Sequence, residues 1–344
     1  MKNKQKSQIN YVLKNFKKSK KKTCFFFGNT SKIEQSDFYL SEIRESSKFI
    51  YVVGIFFNNK SVRKVAKIID GKVDFVLVDT EKKAISLKNK EIVNIEKVIK
   101  QNVLKSKIYT YKGNDLTVQA SDTFLNNYFL KDIRGLGGKK ILILGSGNIG
   151  SKLGLKLVES GAEVFLHRRD SKKLKKIVET INLLLPKGTE AKSKLYNFKM
   201  NLRSFDVIIG ATNGRPVLGL REVNEINSKS IILDIGKGIL NTIGMKNALL
   251  KKLKMYRLDI SPAYNAYLEN VSSTNKMSNL FQKNFKSFKK FKLIKRGVLG
   301  DKDHIIVDNV VKPKKIFGIT DGFGGMKEID IKKMNKIKNK ILNR

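Results

Sequence analysis

The chain of 344 residues has one cysteine, two histidines and no tryptophan. A lone cysteine excludes a disulfide framework and a cysteine-built zinc site, and two histidines leave little for a histidine-built metal centre. No metal site is expected. No apolar run approaches the about 20 residues a membrane helix needs; the longest, Phe49 to Phe57, has nine residues and contains Gly54. The first 22 residues lack the apolar core of a secretory signal. The expectation is a reduced, cytoplasmic protein with no membrane partner.

Acidic residues are also scarce: 30 Asp and Glu stand against 71 Lys and Arg, a net charge of +41. That sign ordinarily points to nucleic acid or an anionic membrane. Yet the basic residues are 60 Lys and 11 Arg, alongside 30 Asn, a combination that a codon bias also produces. Residues 1–22 carry nine Lys and no acid, and 331–344 carry five Lys plus Arg344 and no acid. Arginine, the usual reader of bases and phosphates, is not clustered with aromatics. A specific nucleic-acid partner is therefore not expected, although nonspecific adhesion at low salt is.

A hydrophobic share of 41% is enough for a buried core, and the length suits about two domains at roughly 100–200 residues each. Residues 1–22 read as a frayed basic arm. The apolar stretches Cys24–Phe27, Phe49–Phe57 and Val73–Val78 are bounded by turn residues and read as buried strands. Val62, Val65, Ala66, Ile68 and Ile69 have helical spacing between the last two. A small α/β domain with parallel strand pairs over 23–120 follows. It continues with a helical stretch at Ile92–Val103 and a strand at Lys107–Tyr111. A linking helix and hinge occupy 121–137: Asp122–Leu130 reads as the helix, with Ser121 or Asp122 as N-cap, ending in Gly135-Leu136-Gly137-Gly138.

From 138 to 270 strands and helices alternate. The strand candidates are Lys140–Leu144, Glu163–His167, Leu195–Phe198, Asp206–Gly210, Ile231–Ile235 and Met255–Ile260. The fold class is thus α/β, a doubly wound, mostly parallel Rossmann sheet preceded by a smaller α/β domain. After Pro262 a long helical region is expected. Residues 271–330 read as a helical and β segment packing back on the domains, and 331–344 as a basic tail.

The strongest signal is Lys140-Ile141-Leu142-Ile143-Leu144 followed by Gly145-Ser146-Gly147-Asn148-Ile149-Gly150. A GxGxxG spacing gains meaning from an apolar strand before it and an amphipathic helix after it. Gly145 permits the sharp turn, Gly147 lets a diphosphate approach, and Gly150 lets the helix pack on the sheet. The helix N-terminus then offers free N–H groups to phosphates. A glycine-rich turn without a ligand remains the bland alternative. The second strand ends in His167-Arg168-Arg169 with no carboxylate for a ribose 2′-hydroxyl, which favours a 2′-phosphate and hence NADP, with NAD as the second choice. Asp170 suits the N-cap of the next helix. Ala211-Thr212-Asn213 ends the fourth strand at the ligand edge, where small side chains suit a nicotinamide ribose, or where Asn213-Gly214 is a turn pair. Asp234-Ile235-Gly236-Lys237-Gly238 has the same ambiguity.

These pieces (GSGNIG, the basic strand end, DVIIGATNG and ILDIG) resemble the NADP-binding half of the shikimate dehydrogenase family over about 120–260. The domain order is also similar to methylene-tetrahydrofolate dehydrogenases and glutamyl-tRNA reductases. The resemblance implies a dehydrogenase in which a lysine and an aspartate of the first domain move the proton. Asn58-Asn59-Lys60, Val78-Asp79-Thr80 and Ser121-Asp122-Thr123 are the corresponding candidates. The Asp79 to Asp122 spacing departs from the family pattern. A reductase of glutamyl-tRNA needs a nucleophilic cysteine, whereas Cys24 lies in an apolar run that reads as core.

The expected function is an NADP-dependent oxidoreductase acting on a small polar metabolite in an interdomain cleft, with homodimer formation left open. Candidate proton-handling residues are Lys60, at a strand's carboxyl end or a solvated loop charge; Asp122, a cleft acid or helix cap; and Tyr264, a cleft-side donor after Ser261-Pro262. His167 reads as adenine-side or structural. A nucleotide-sensing Rossmann protein without turnover is the alternative.

Overall fold

The computed structural model describes all residues except 1–2, 32–35, 88–89, 198–199, 282–284, 289–290 and 343–344. The chain divides into two compact units, Met1–Tyr267 and Leu268–Arg344.

Unit 1 begins with a helix, α1 (Asn3–Lys18). Its residues Ile9, Val12, Leu13 and Phe16 are buried in the first core. They fall at i, i+3, i+4 and i+7, one face of a helix. The expected frayed arm is therefore corrected: the apolar stripe docks and the lysines occupy the other faces. The first sheet comprises β1 (Lys22–Gly28), β2 (Phe38–Leu40), β3 (Arg44–Glu45), β4 (Phe49–Phe56), β5 (Phe75–Asp79) and β6 (Lys107–Tyr111). Its order is β2-β4-β1-β5-β6, with β3 also on β4. The strands β4, β1, β5 and β6 are parallel; β2 and β3 run antiparallel to β4. Strand alternation sends Phe25 and Phe27 into the core shared with α1, α2 (Asn59–Ile69) and α3 (Ile95–Asn102). Phe26 points the other way, toward Tyr51, Tyr111 and Tyr264.

The linking helix α4 runs Gly113–Tyr128 and starts well before the expected caps, so Asp122 lies inside it. Val118 and Leu125 of α4 are buried with the second sheet's core. That sheet contains β7 (Lys140–Leu144), β8 (Glu163–His167), β9 (Ser193–Leu195), β10 (Val207–Gly210), β11 (Ile231–Asp234) and β12 (Lys254–Arg257), in the order β12-β11-β10-β7-β8-β9. All its pairs are parallel. Helices α5 (Asn148–Glu159), α6 (Ser171–Leu184), α7 (Leu220–Glu225) and α8 (Thr242–Leu250) connect them. Cores lie on both faces, as a parallel sheet requires. The third strand lies two residues earlier than its sequence expectation, and Phe198 is outside the described residues. Helix α9 (Ser261–Phe281) begins before Pro262, which takes an early helical position where its missing N–H costs nothing.

Unit 2 holds β13 (Phe285–Phe288), β14 (Phe291–Lys295), β15 (Ile305–Val307) and β16 (Ile316–Ile319) in sequential order, and α10 (Ile331–Leu342). The β13–β14 hairpin replaces part of the expected helical region. The expected basic tail is largely helical: Ile341 of α10 is buried with Leu293, Ile305 and Val307. No described helix is long and apolar enough to cross a membrane.

Candidate functional site

Strand β7 lies at the centre of the second sheet, where the strand order reverses, and the bend after it faces the carboxyl edge. Gly145 has φ +107°, and a Cβ there would sit 2.4 Å from the Ala211 carbonyl oxygen. At Gly150 a Cβ would lie 2.4 Å from the Gly145 carbonyl oxygen. Gly147 differs: beyond its own chain neighbours no heavy atom lies within 4 Å of its Cβ position. Gly145 and Gly150 are therefore required by the bend itself, while Gly147 leaves room beside the backbone. Gly147 is the N-cap of α5 and no side chain caps that helix. The first-turn N–H groups of Asn148, Ile149 and Gly150 are thus available to an anion, and the bend fits a dinucleotide's diphosphate.

Ser146 is fully buried. Its backbone N–H and hydroxyl both donate to the His167 carbonyl, at 2.9 and 3.1 Å, and Gly145 N–H donates to the same oxygen at 3.0 Å. Ser146 therefore builds the bend and presents no side chain to a ligand. Arg168 donates through Nη1 to the Ser146 carbonyl at 2.9 Å. Arg169 is exposed. His167 is half-buried beside Tyr196, and burial pushes its pKa down. Asp170 caps α6 by accepting from Lys173 N–H at 3.0 Å.

At the end of β10, Ala211 N–H donates to the Leu144 carbonyl at 2.8 Å and Thr212 Oγ1 to the Arg215 carbonyl at 2.6 Å. Asn213 and Gly214 have φ +56° and +78°, so Asn213 belongs to a tight turn. The loop after β11 packs against it: a Cβ on Gly236 would lie 3.0 Å from Thr212 N. Asp234 closes that loop by accepting from Gly238 N–H at 2.7 Å.

The three expected proton-handling residues are not brought together. Lys60 is exposed in the first turn of α2. Asp122 pairs with Lys156 of α5 at 3.7 Å and accepts from Asn126 Nδ2 at 3.1 Å, which makes it part of the α4–α5 packing. Tyr264 is buried against Phe26, ring centroids 4.7 Å apart, and shares a hydrogen bond with Tyr111; burial pushes its phenol up, keeping it neutral. Cys24 is buried, and burial pushes its thiol far up.

A different cluster stands at the carboxyl edge of the first sheet. Asp79 ends β5 and is 2% exposed. Its carboxylate meets Lys83 Nζ at 2.6 Å, and Glu81 meets the same ammonium at 3.1 Å. Burial pushes Asp79 up, with Lys83 opposing. Asp79 also accepts from Glu81 N–H at 3.0 Å and Gly113 N–H at 3.3 Å, and Glu81 from Asn114 N–H at 2.8 Å. The two carboxylates thus cap α4. A Cβ on Gly113 would lie 2.9 Å from both Asp79 Oδ2 and Lys83 Nζ, so the cluster packs directly on the start of α4. Asn114 Nδ2 donates to Asn148 Oδ1 at 3.2 Å, which sets the cluster beside the glycine bend. Sequence reasoning found Asp79 as a strand end but missed Lys83. Its signal, a lysine four residues after a strand-terminal acid, is inconspicuous among 60 lysines. Among the described residues no group of three or more His, Cys, Asp or Glu is arranged to hold a metal.

Residues 129–259 match the family model for shikimate / quinate 5-dehydrogenase, less than half of the chain. No curated protein matches. Solved structures with a similar path include a dipicolinate synthase from Bacillus halodurans, at 13% identity over 74% of this chain and 97% of that one, TM-score 0.36. A shikimate dehydrogenase in complex with NADP+ has 14% identity over 73% and 96%, TM-score 0.39. Shikimate 5-dehydrogenase from Listeria monocytogenes, in complex with shikimate and NAD, has 16% identity over 69% and 86%, TM-score 0.35. The segment 129–259 thus resembles the Rossmann domain with which dehydrogenases hold a nicotinamide dinucleotide.

Proposed function

We propose that the protein is an NADP-dependent oxidoreductase, able also to take NAD, acting on a small polar metabolite between the Asp79–Lys83 cluster and the glycine bend. The observation that carries this reading is the clear space at Gly147 over an uncapped helix N-terminus. A nicotinamide dinucleotide, when bound, supplies or accepts the hydride. The backbone N–H groups of Asn148, Ile149 and Gly150 hold its diphosphate over the open Gly147, and exposed Arg169 answers a 2′-phosphate. Lys83 donates a proton to the substrate oxygen during reduction and takes one during oxidation; Asp79 and Glu81 orient its ammonium. A cytoplasmic setting agrees with the single buried thiol.

NADPH fluorescence titration tests the reading. Gly147→Ala has negative φ and no steric neighbour, so it should fold with no more than the about 1 kcal/mol an N-cap controls. Its methyl group should nevertheless weaken NADPH binding by about tenfold or more. Unchanged affinity, or no saturable NADPH binding by the native protein, overturns the proposal. A nucleotide sensor without turnover is the second reading, favoured by the dispersal of Lys60, Asp122 and Tyr264; saturable binding without hydride transfer across a broad metabolite panel selects it.

A further inference from the structure

Three consecutive residues at the start of α4 touch both halves of the proposed site. Gly113 N–H donates to Asp79 and Asn114 N–H to Glu81, the carboxylates that hold Lys83. The side chains of the same turn face α5. Asn114 Nδ2 donates to Asn148 Oδ1 in the glycine bend, and Asp115 Oδ1 meets Lys152 Nζ at 2.5 Å. Asn148 opens α5 and Lys152 lies one turn further on. A second ion pair, Asp122–Lys156, continues the seam. Displacement of the α5 N-terminus therefore reaches the Lys83 cluster through one helical turn, with no intervening loop.

We infer that the first turn of α4 couples occupancy of the cofactor bend to the order of the Lys83 cluster, with Asn114 and Asp115 as positioning residues. The inference rests on the proposed cofactor reading. A dinucleotide that fixes Asn148, Ile149 and Gly150 restrains Asn114 and Asp115 through Asn148 and Lys152. The backbone of that turn then holds Asp79 and Glu81 more tightly on the Lys83 ammonium. Proton donor and hydride source are thereby aligned when both are needed, and the donor is held loosely otherwise. By linkage, a ligand that orders the Lys83 cluster tightens cofactor binding by the same factor.

Backbone hydrogen exchange of the full chain, with and without saturating NADPH, tests this without a known substrate. The Glu81 amide is bonded to Asp79 and reports on the cluster. In the native protein, NADPH should slow exchange over 145–152 and also over 79–84, the latter about fivefold. The variant N114A/D115A removes both side-chain links while its backbone N–H groups still reach Asp79 and Glu81. It should keep protection over 145–152 and lose it over 79–84. N114A alone should lose part of it, and thermal denaturation checks that both variants fold. Protection over 145–152 without any over 79–84 in the native protein, or equal protection over 79–84 in N114A/D115A, overturns the coupling and leaves the cofactor reading intact. No protection at 145–152 overturns the cofactor reading and the coupling with it.

Discussion

Arg168 and Arg169 are adjacent in sequence, but only Arg168 has its guanidinium tied to the bend, through the Ser146 carbonyl, while Arg169 is exposed. The pair therefore separates two functions that the sequence merges. Arg168→Glu should weaken NADP and NAD alike, because it removes a charge-assisted bond worth about 1.5–3 kcal/mol from the bend itself. Arg169→Glu should weaken NADP by about ten- to hundredfold and NAD little, as a lost 2′-phosphate partner does. Titration of both variants with both cofactors checks this; equal losses for Arg169→Glu would show that the 2′-phosphate is not held there. The division was not legible from the run His167-Arg168-Arg169, since it depends on where β8 ends relative to the bend. The glycines were legible because their constraints are local: a positive φ at Gly145 and a close approach at Gly150 follow from the turn. Lys83 was not. Its partners Asp79 and Glu81 become meaningful when β5 and α4 meet, and nothing in the local sequence marks one lysine of 60.

Apolar runs inside a sheet define their own ends, which is why Lys140–Leu144 and Glu163–His167 are strands over the same residues that the sequence predicts. Edge elements and helices with dense lysine are harder. In α1 the stripe Ile9, Val12, Leu13 and Phe16 is diluted by charge, and the neighbouring Tyr11 is exposed. In α10 the same holds for Ile341, with Met334 and Ile337 packed beside it. Asp122 shows a related difficulty: a residue suited to an N-cap lies inside α4, because the helix is capped nine residues earlier by carboxylates from β5 and the loop after it. The docking of α1 gives a direct test. Phe16 is 2% exposed, so Phe16→Ala should destabilise the fold by about 3–5 kcal/mol, whereas truncation in a free arm would cost nearly nothing. Urea denaturation measures it, and a midpoint unchanged from the native protein would return residues 3–18 to the status of an arm.

At the scale of the whole molecule, +41 charges on one chain repel one another, and the described ion pairs are mostly exposed ones of small individual worth. Screening should therefore stabilise. Raising ionic strength from about 0.01 to 0.1 M shortens the Debye length from about 30 to 10 Å, and a gain near 1 kcal/mol would raise the melting temperature by roughly 1–2 °C in a chain of this size. Acid acts in the opposite direction. Burial raises Asp70, but backbone N–H groups of Ser106, Leu104 and Lys105 outweigh it and hold its carboxyl below the ordinary carboxylate range. Asp74 is likewise raised by burial and lowered further by Thr23 and Lys22. A depressed folded-state value means stability that is complete above the ordinary carboxylate range and lost as pH falls through the depressed value. Asp79 has the opposite sign, since its raised value favours the fold when protonated, so it partly offsets the loss from the other two. Protonating the carboxylates also removes the negative charges that temper the repulsion. Melting curves at low and moderate salt, at pH 7 and at pH 3, should then show a salt-induced rise at both pH values and a larger one at pH 3. A melting temperature that falls with salt at pH 7 would mean that attraction between the exposed pairs outweighs the net charge.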